Sequence, residues 1–260
     1  MLDLLRCPKC ASAIAEDPQG VVCTSGHRFG LIGGRAPDLV GRLTQTDSVG
    51  QFFMRYKPLV TVYERLWRPL FTASAGGTDP DAETALLAGW LDRPDSDTVV
   101  DVACGPGNTT RRLAKALPDR RVLGLDLSVP MLERALADTP VESRGGYARV
   151  DAHHLPLEAE SVAGVHCAAA FYLISEPAAV VAEIARVLRP GGRLVGMTLG
   201  APADPIGPLG HRRQAIFSAL SGLRYVKAHE LAAMCSSAGM VDFHNERRGA
   251  ALMFHADLPD

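Results

Sequence analysis

The chain has 260 residues, 47% hydrophobic and 22% charged, a globular composition with room for one large domain and a small appendage. Lysine and arginine number 27 against 29 aspartates and glutamates, a net charge of −2, which disfavours wide electrostatic capture of nucleic acid while leaving room for a local basic patch. No apolar run reaches the roughly 18 residues of a membrane span, and Met1–Arg6 lacks the basic-then-apolar order of a signal peptide, so a soluble, cytoplasmic protein is expected.

The first element in chain order is a cysteine cluster. Cys7, Cys10, Cys23 and His27 follow the spacing C-x2-C-x12-C-x3-H. Two close pairs joined by a loop bring three thiolates and one imidazole to the corners of a tetrahedron, as zinc prefers. A ribbon of residues 1–40 has too little core to fold by itself, and metal ligation supplies the missing free energy. Four protein ligands leave no position for water, so the expected Zn2+ is structural. Scattered core cysteines are the bland alternative, and Cys104, Cys167 and Cys235, each alone in apolar surroundings, read that way.

Residues 41–80 form a linker with an expected helix from Gln51 to Phe71, interrupted by Pro58 and Pro69. Its aromatics, Phe52, Phe53, Tyr56, Tyr63, Trp67 and Phe71, either pack on the body or cover a substrate cleft. From residue 81 to 260 helices and strands alternate. Helices are expected at Asp81–Leu91, Asn108–Leu117, Ser128–Ala137, Pro177–Leu188 and His229–Ala238. Strands are expected at Thr98–Ala103, Arg121–Leu125, Gly146–Val150, Ser161–Ala168 and Arg193–Thr198, with two more near Val241–Asn245 and Ala250–His255. This alternation predicts an α/β fold, a Rossmann-like, doubly wound, seven-stranded and mostly parallel sheet that binds ligands beyond the carboxyl ends of its strands.

Two features fall at those ends. Cys104-Gly-Pro-Gly107 follows the first strand, where glycines let the backbone approach a ligand beside a helix N-terminus. Asp126 ends the second strand, 19 residues past Gly107, where a carboxylate can take both hydroxyls of a ribose. A dinucleotide fingerprint would put a third glycine where Thr110 stands, which weakens a nicotinamide-cofactor reading.

On these residues the chain resembles the class I S-adenosylmethionine-dependent methyltransferases, over about Thr98 to Thr198. Asp101, Gly105 and Gly107 match the family's acid-x-Gly-x-Gly-x-Gly pattern, with Ala103 at its first glycine. Asp126 matches the ribose-binding acid, Leu127 follows in the adenine region, and Arg149-Val-Asp151-Ala152 resembles the motif whose acid meets the adenine amino group. Ala168 to Tyr172 falls where the family lines the methionine end of the donor. Glu183 to Gly192 (Glu-Ile-Ala-Arg-Val-Leu-Arg-Pro-Gly-Gly) is similar to the helix and turn before strand five. The resemblance implies an antiparallel last strand and S-adenosylmethionine as cosubstrate.

The two ends resemble different relatives. The ligand spacing Cys7/Cys10/Cys23/His27 is similar to the zinc module of large-subunit rRNA guanine methyltransferases, including the macrolide-resistance type. Pro58–Trp67 and Glu230–Gly239 look more like a group of bacterial and plastid methyltransferases. Residues 1–46 carry Arg6, Lys9, Arg28, Arg35 and Arg42 against Asp3, Glu16, Asp17 and Asp38, a thin excess for RNA. A small organic acceptor is therefore favoured, with RNA and a non-catalytic binding module as alternatives. Pro205–Lys227, carrying Arg212, Arg213, Arg224 and Lys227 without an acid, lies where such enzymes place a substrate-covering insertion. His153, His154, His166, His229 and Tyr172 are candidate bases. Tyr172 and His154 are the residues expected at the acceptor side, and His166, inside a strand, reads as structural.

Overall fold

β-Branched runs and amphipathic stretches settle into the expected alternation in a computed structural model describing residues 1–40, 80–93, 97–141, 143, 145–168, 170–200, 226–248 and 251–260. The expected lid elements, Tyr56, Tyr63 and Trp67 in the linker and residues 205–225 of the insertion, lie outside these.

The N-terminal forty residues open with a 3-10 turn at Leu2–Leu4. They then form a three-stranded antiparallel sheet from β1 (Ile14–Asp17), β2 (Gly20–Cys23) and β3 (Arg28–Phe29), and a two-stranded one from β4 (Leu31–Ile32) and β5 (Ala36–Pro37). The body follows with α1 (Pro80–Leu91), β6 (Thr98–Val102), α2 (Asn108–Ala116), β7 (Arg121–Asp126), α3 (Val129–Ala137), β8 (Gly145–Arg149) and β9 (Val162–Ala168). It closes with α4 (Pro177–Val187), β10 (Leu188–Leu199), α5 (Ala228–Ser237), β11 (Val241–Arg248) and β12 (Ala251–Asp257).

The strand order of the large sheet is β11-β12-β10-β9-β6-β7-β8. β12 runs antiparallel to both β10 and β11, and the pairings from β10 across to β8 are parallel, as the resemblance implies. All five residues of β6 are buried, as in a central strand covered on both faces. The order reverses at β6, with β7 on one side and β9 on the other, and at such a switch point the connections diverge and leave a crevice.

Three local features of the element ends have physical reasons. Gly107 occupies the N-cap of α2, which starts at Asn108 as expected, in a left-handed conformation at φ +73° that a residue without Cβ adopts freely. Ser128 caps α3, its hydroxyl accepting the Met131 N–H, which satisfies one orphan donor of the first turn. β10 begins at Leu188 rather than Arg193, because the strand absorbs the Pro190-Gly191-Gly192 segment as an irregularity between two stretches paired with β9.

The ribbon does not keep a core of its own. Leu5, Cys7, Ile14, Val21, Cys23 and Leu39 belong to one continuous apolar cluster with Val100, Leu123, Ala148, Val150 and Leu157 of the body. Polar contacts flank it: Arg6 N–H donates to the Pro156 carbonyl at 2.7 Å. Arg35 donates to the carbonyls of Leu136, Thr139 and Pro140 at 3.1, 3.1 and 3.3 Å. No helix among the described residues is long and apolar enough to cross a membrane.

Candidate active site

The site is built at the carboxyl ends of β6, β7, β8 and β9. Asp101, buried in β6, accepts the Thr110 hydroxyl of α2 at 2.5 Å on one oxygen and is paired with His166 Nδ1 of β9 at 2.7 Å on the other. It therefore ties the first turn of α2 back to the strand, so that residues 103–107 form a short arch. His166 Nε2 is buried without a hydrogen-bond partner, and this histidine belongs to the core, as expected.

Within the arch, Ala103, Gly105 and Gly107 all have positive φ, at +56°, +55° and +73°. The two glycines serve different ends. A Cβ on Gly107 would lie 2.5 Å from Tyr147 Oη and 2.9 Å from its Cζ, so the position is closed by packing. A Cβ on Gly105 would meet no described atom within 4 Å, so no described residue closes the backbone there. Ala103 carries the strain of a left-handed conformation, of order 1 kcal/mol, with a side chain in place. Burial, with Asp126 and Asp101 nearby, holds the intervening Cys104 thiol well above its ordinary value, which makes it a poor nucleophile.

Asp126 closes the arch from below. Its Oδ2 accepts the Gly105 N–H at 2.7 Å and its Oδ1 accepts the Ser128 N–H at 2.8 Å. Burial raises its pKa, against the lowering pull of those N–H groups. Two N–H bonds leave lone pairs free on a carboxylate with about four acceptor sites, so the group is aimed yet still able to accept.

The third loop begins where Val150 N–H donates to the Asp126 carbonyl at 3.0 Å. Asp151 Oδ1 accepts the His153 N–H at 3.0 Å and pairs with His153 Nδ1 at 2.7 Å, leaving Oδ2 for another partner. His153, not His154, is the histidine that braces this acid; His154 is exposed, with its N–H donating to the Asp151 carbonyl at 2.9 Å. Leu127 and Ala152 are half-buried beside these acids, and Ala168 ends β9 half-buried. Tyr172 follows in the next turn, buried. His229 lies in the first turn of α5.

In the ribbon the four ligand atoms of Cys7, Cys10, Cys23 and His27 lie within 4.8 Å of one another. His27 Nδ1 is 3.5, 3.5 and 3.4 Å from the Cys7, Cys10 and Cys23 sulfurs, and Cys10 and Cys23 sulfurs are 3.8 Å apart. Tetrahedral zinc, with bonds of about 2.3 Å to sulfur and about 2.05 Å to nitrogen, requires about 3.5 Å between sulfur and nitrogen and about 3.8 Å between sulfurs. The donor set fits the metal. Hydrogen bonds from Ser12 and Ser25 pull the Cys10 thiol down to about 5, into the thiolate form that metals bind.

Residues that sequence reasoning left without a role also shape the site. Thr110 pins Asp101, Ser128 fixes Asp126, and Arg149 donates from Nε to the Leu127 carbonyl at 2.9 Å. Only Ser128, one residue before a helix, carried a local signal.

A braced glycine arch with an acid at the end of the neighbouring strand has the shape and the acceptors to cradle a nucleoside. Residues 100–196 match the methyltransferase domain family. An uncharacterised chloroplastic methyltransferase of Arabidopsis thaliana is 32% identical over 98% of this chain and 78% of its own length. The malonyl-[acyl-carrier protein] O-methyltransferase of Hahella chejuensis is 41% identical, over 39% of this chain and 36% of its own. Among solved structures, Haemonchus contortus phosphoethanolamine N-methyltransferase 2 with S-adenosyl-L-methionine superposes with a TM-score of 0.66 at 16% identity, covering 86% of this chain and 62% of that one. The chain belongs to the class I S-adenosylmethionine-dependent methyltransferases.

Proposed function

We propose that the protein transfers a methyl group from S-adenosylmethionine to a small organic acceptor. The observation that carries the donor half is the arch: no described residue closes over Gly105 while its N–H is held by Asp126. In this reading Asp126 takes the ribose hydroxyls. Asp151, braced by His153, receives the adenine amino group, with Leu127 and Ala152 as walls. Ala103, Gly105 and Ala168 frame the methionine end, while Asp101, expected to touch the donor, is buried with both oxygens paired and braces the arch from behind, and Gly107 closes the turn against Tyr147. Bound there, the sulfonium supplies an already activated methyl group, so the protein has to align the acceptor and exclude water. Tyr172 and His154 are the acceptor-side candidates, Tyr172 within the turn after β9 and His154 from the loop after β8.

The acceptor half rests on charge. An RNA substrate calls for a free basic path from the ribbon to the donor methyl. Arg6 is instead paired with Glu158 at 2.7 Å and Arg28 with Asp17 at 2.6 Å. Arg35 is spent on three carbonyls of the body. The malonyl-[acyl-carrier protein] methyltransferase among the relatives supports an acceptor other than nucleic acid. We assign residues 1–40 to a ribbon held by structural zinc on Cys7, Cys10, Cys23 and His27, 41–80 to a connecting and covering segment, and 81–260 to the transferase domain.

Calorimetry with S-adenosylhomocysteine tests the donor half. Asp126→Ala removes charge-assisted hydrogen bonds worth about 1.5–3 kcal/mol each, so affinity falls at least tenfold. Unchanged affinity would refute the assignment. Labelled donor offered to ribosomal RNA and, separately, to a metabolite extract tests the acceptor half: label in the small-molecule fraction is expected, and label in RNA alone overturns it.

A further inference from the structure

The ribbon and the body meet along the free edge of the large sheet. β8 is that edge, and its last residue, Arg149, lies in register with Asp126 of β7. From the ribbon side Asp38 forms a parallel bridge with Arg149, and the Leu39 N–H donates to the Arg149 carbonyl at 2.9 Å. The Arg149 guanidinium then spans two elements. Nη1 donates to the Asp38 carboxylate oxygens at 3.3 and 3.0 Å, while Nε donates to the Leu127 carbonyl at 2.9 Å. Asp38 is fixed in turn by the Val40 N–H, at 3.3 Å from Oδ1.

Leu127 sits between the acid that takes the ribose in the reading above and Ser128, whose N–H holds that acid. A guanidinium clamped at one edge by a carboxylate can present its other edge in only a few orientations, since the group is planar and its donors are fixed. We propose that Arg149 is a positioning residue for the donor site and that Asp38, contributed by the N-terminal ribbon, sets it. The Asp38–Arg149–Leu127 link holds the backbone on the adenosine side at the height Asp126 requires. The ribbon thereby forms an outer wall of the site, and its docking is coupled to donor affinity. This inference rests on the donor-site reading.

Asp38→Asn keeps the size of the side chain and removes the charge that clamps the guanidinium. Arg149→Lys keeps the charge but cannot reach both partners with a fork. Each is expected to weaken S-adenosylhomocysteine binding by about five- to tenfold, as measured by calorimetry. The double variant should be no weaker than the worse single one, because both break the same link. Asp3→Asn is the control. It breaks the 2.6 Å Asp3–Arg121 pair, which joins ribbon and body at the amino end of β7, far along the strand from Asp126. Its thermal midpoint should fall about as much as that of Asp38→Asn, with donor affinity unchanged.

A parent that binds the ligand while Asp38→Asn and Arg149→Lys bind it equally well overturns the coupling alone. Additive losses in the double variant, or an equal loss in Asp3→Asn, also overturn it, because the effect would then be general loosening of the ribbon. A parent that does not bind overturns the donor-site reading, and the coupling with it.

Discussion

Gly105 and Gly107 stand two residues apart in the same arch, both with positive φ, yet alanine should affect them in opposite ways. At Gly107 the new Cβ would lie 2.5 Å from Tyr147 Oη, 2.9 Å from its Cζ and 3.0 Å from the Ala135 Cβ. The ring has little room to retreat, because Tyr147 is buried and its hydroxyl is paired with Thr139 at 3.0 Å. Overpacking of this kind costs about 1–3 kcal/mol and the left-handed backbone about 1–2 kcal/mol. Reduced freedom of the unfolded chain returns about 0.4–1 kcal/mol. Gly107→Ala should therefore lose about 2–4 kcal/mol in urea denaturation. Gly105→Ala meets no described atom, so only the backbone contribution remains and the loss should be about 1 kcal/mol or less. Its methyl group instead projects into the space assigned to the donor, and S-adenosylhomocysteine affinity should drop at least tenfold. Tyr147→Leu combined with Gly107→Ala should be less destabilised than the sum of the single variants, by about 1 kcal/mol. The reasoning fails if Gly105→Ala unfolds as readily as Gly107→Ala and still binds the ligand like the parent.

One zinc per chain should copurify, as metal analysis of protein prepared without chelator will show, and Cys10→Ser should abolish it. Because the ribbon shares the body's core, that variant should also lower the thermal midpoint of the whole chain, not only the protection of residues 1–40 in hydrogen exchange. A pH effect is expected at the far end of the sheet. Burial, joined by Arg193, His244 and Arg93 and opposed by Asp257, lowers His255 from its ordinary 6.5 to about 4, and its ring packs edge-on against Trp90 and stacks on His244. The unfolded chain takes up this proton first, so the stability held by the neutral ring is complete above about pH 6.5 and is lost as pH falls toward 4. His255→Phe should flatten the fall in urea midpoint across that window relative to the parent; an unchanged slope counts against the assignment.

Much of the site was legible because its signals are local. The glycine turn and the acid that ends β7 each occupy a few residues, and the four-ligand spacing fits within the 21 residues from Cys7 to His27. The antiparallel β12 came from family likeness rather than from any residue within it. What stayed hidden depends on register. Arg149 reads as an ordinary strand-ending arginine until β8 is laid beside β7, and its partner Asp38 is 111 residues away in sequence. The left-handed backbone at Ala103 was marked only by family likeness, which puts a glycine there, because alanine itself gives no sign of such a conformation. His153 and His154 are adjacent and chemically identical, and only the fold of the loop decides which one braces Asp151.

The shared core also has a consequence in time. During synthesis the ribbon leaves the ribosome before the body, while the side chains that complete its packing, Ala148, Val150 and Leu157, lie more than a hundred residues downstream. At about 5–20 residues per second that interval is about 5–30 s. For that time Leu5, Val21 and Leu39 have no body to pack on, and zinc held by the four proposed ligands would be the means by which the nascent segment keeps its shape. When β8 emerges it is a bare sheet edge, the kind of surface that recruits other chains, and the waiting ribbon is already tethered close enough to cover it. A chain begun after residue 40 would present that edge, with nothing to shield it, to every neighbour in solution.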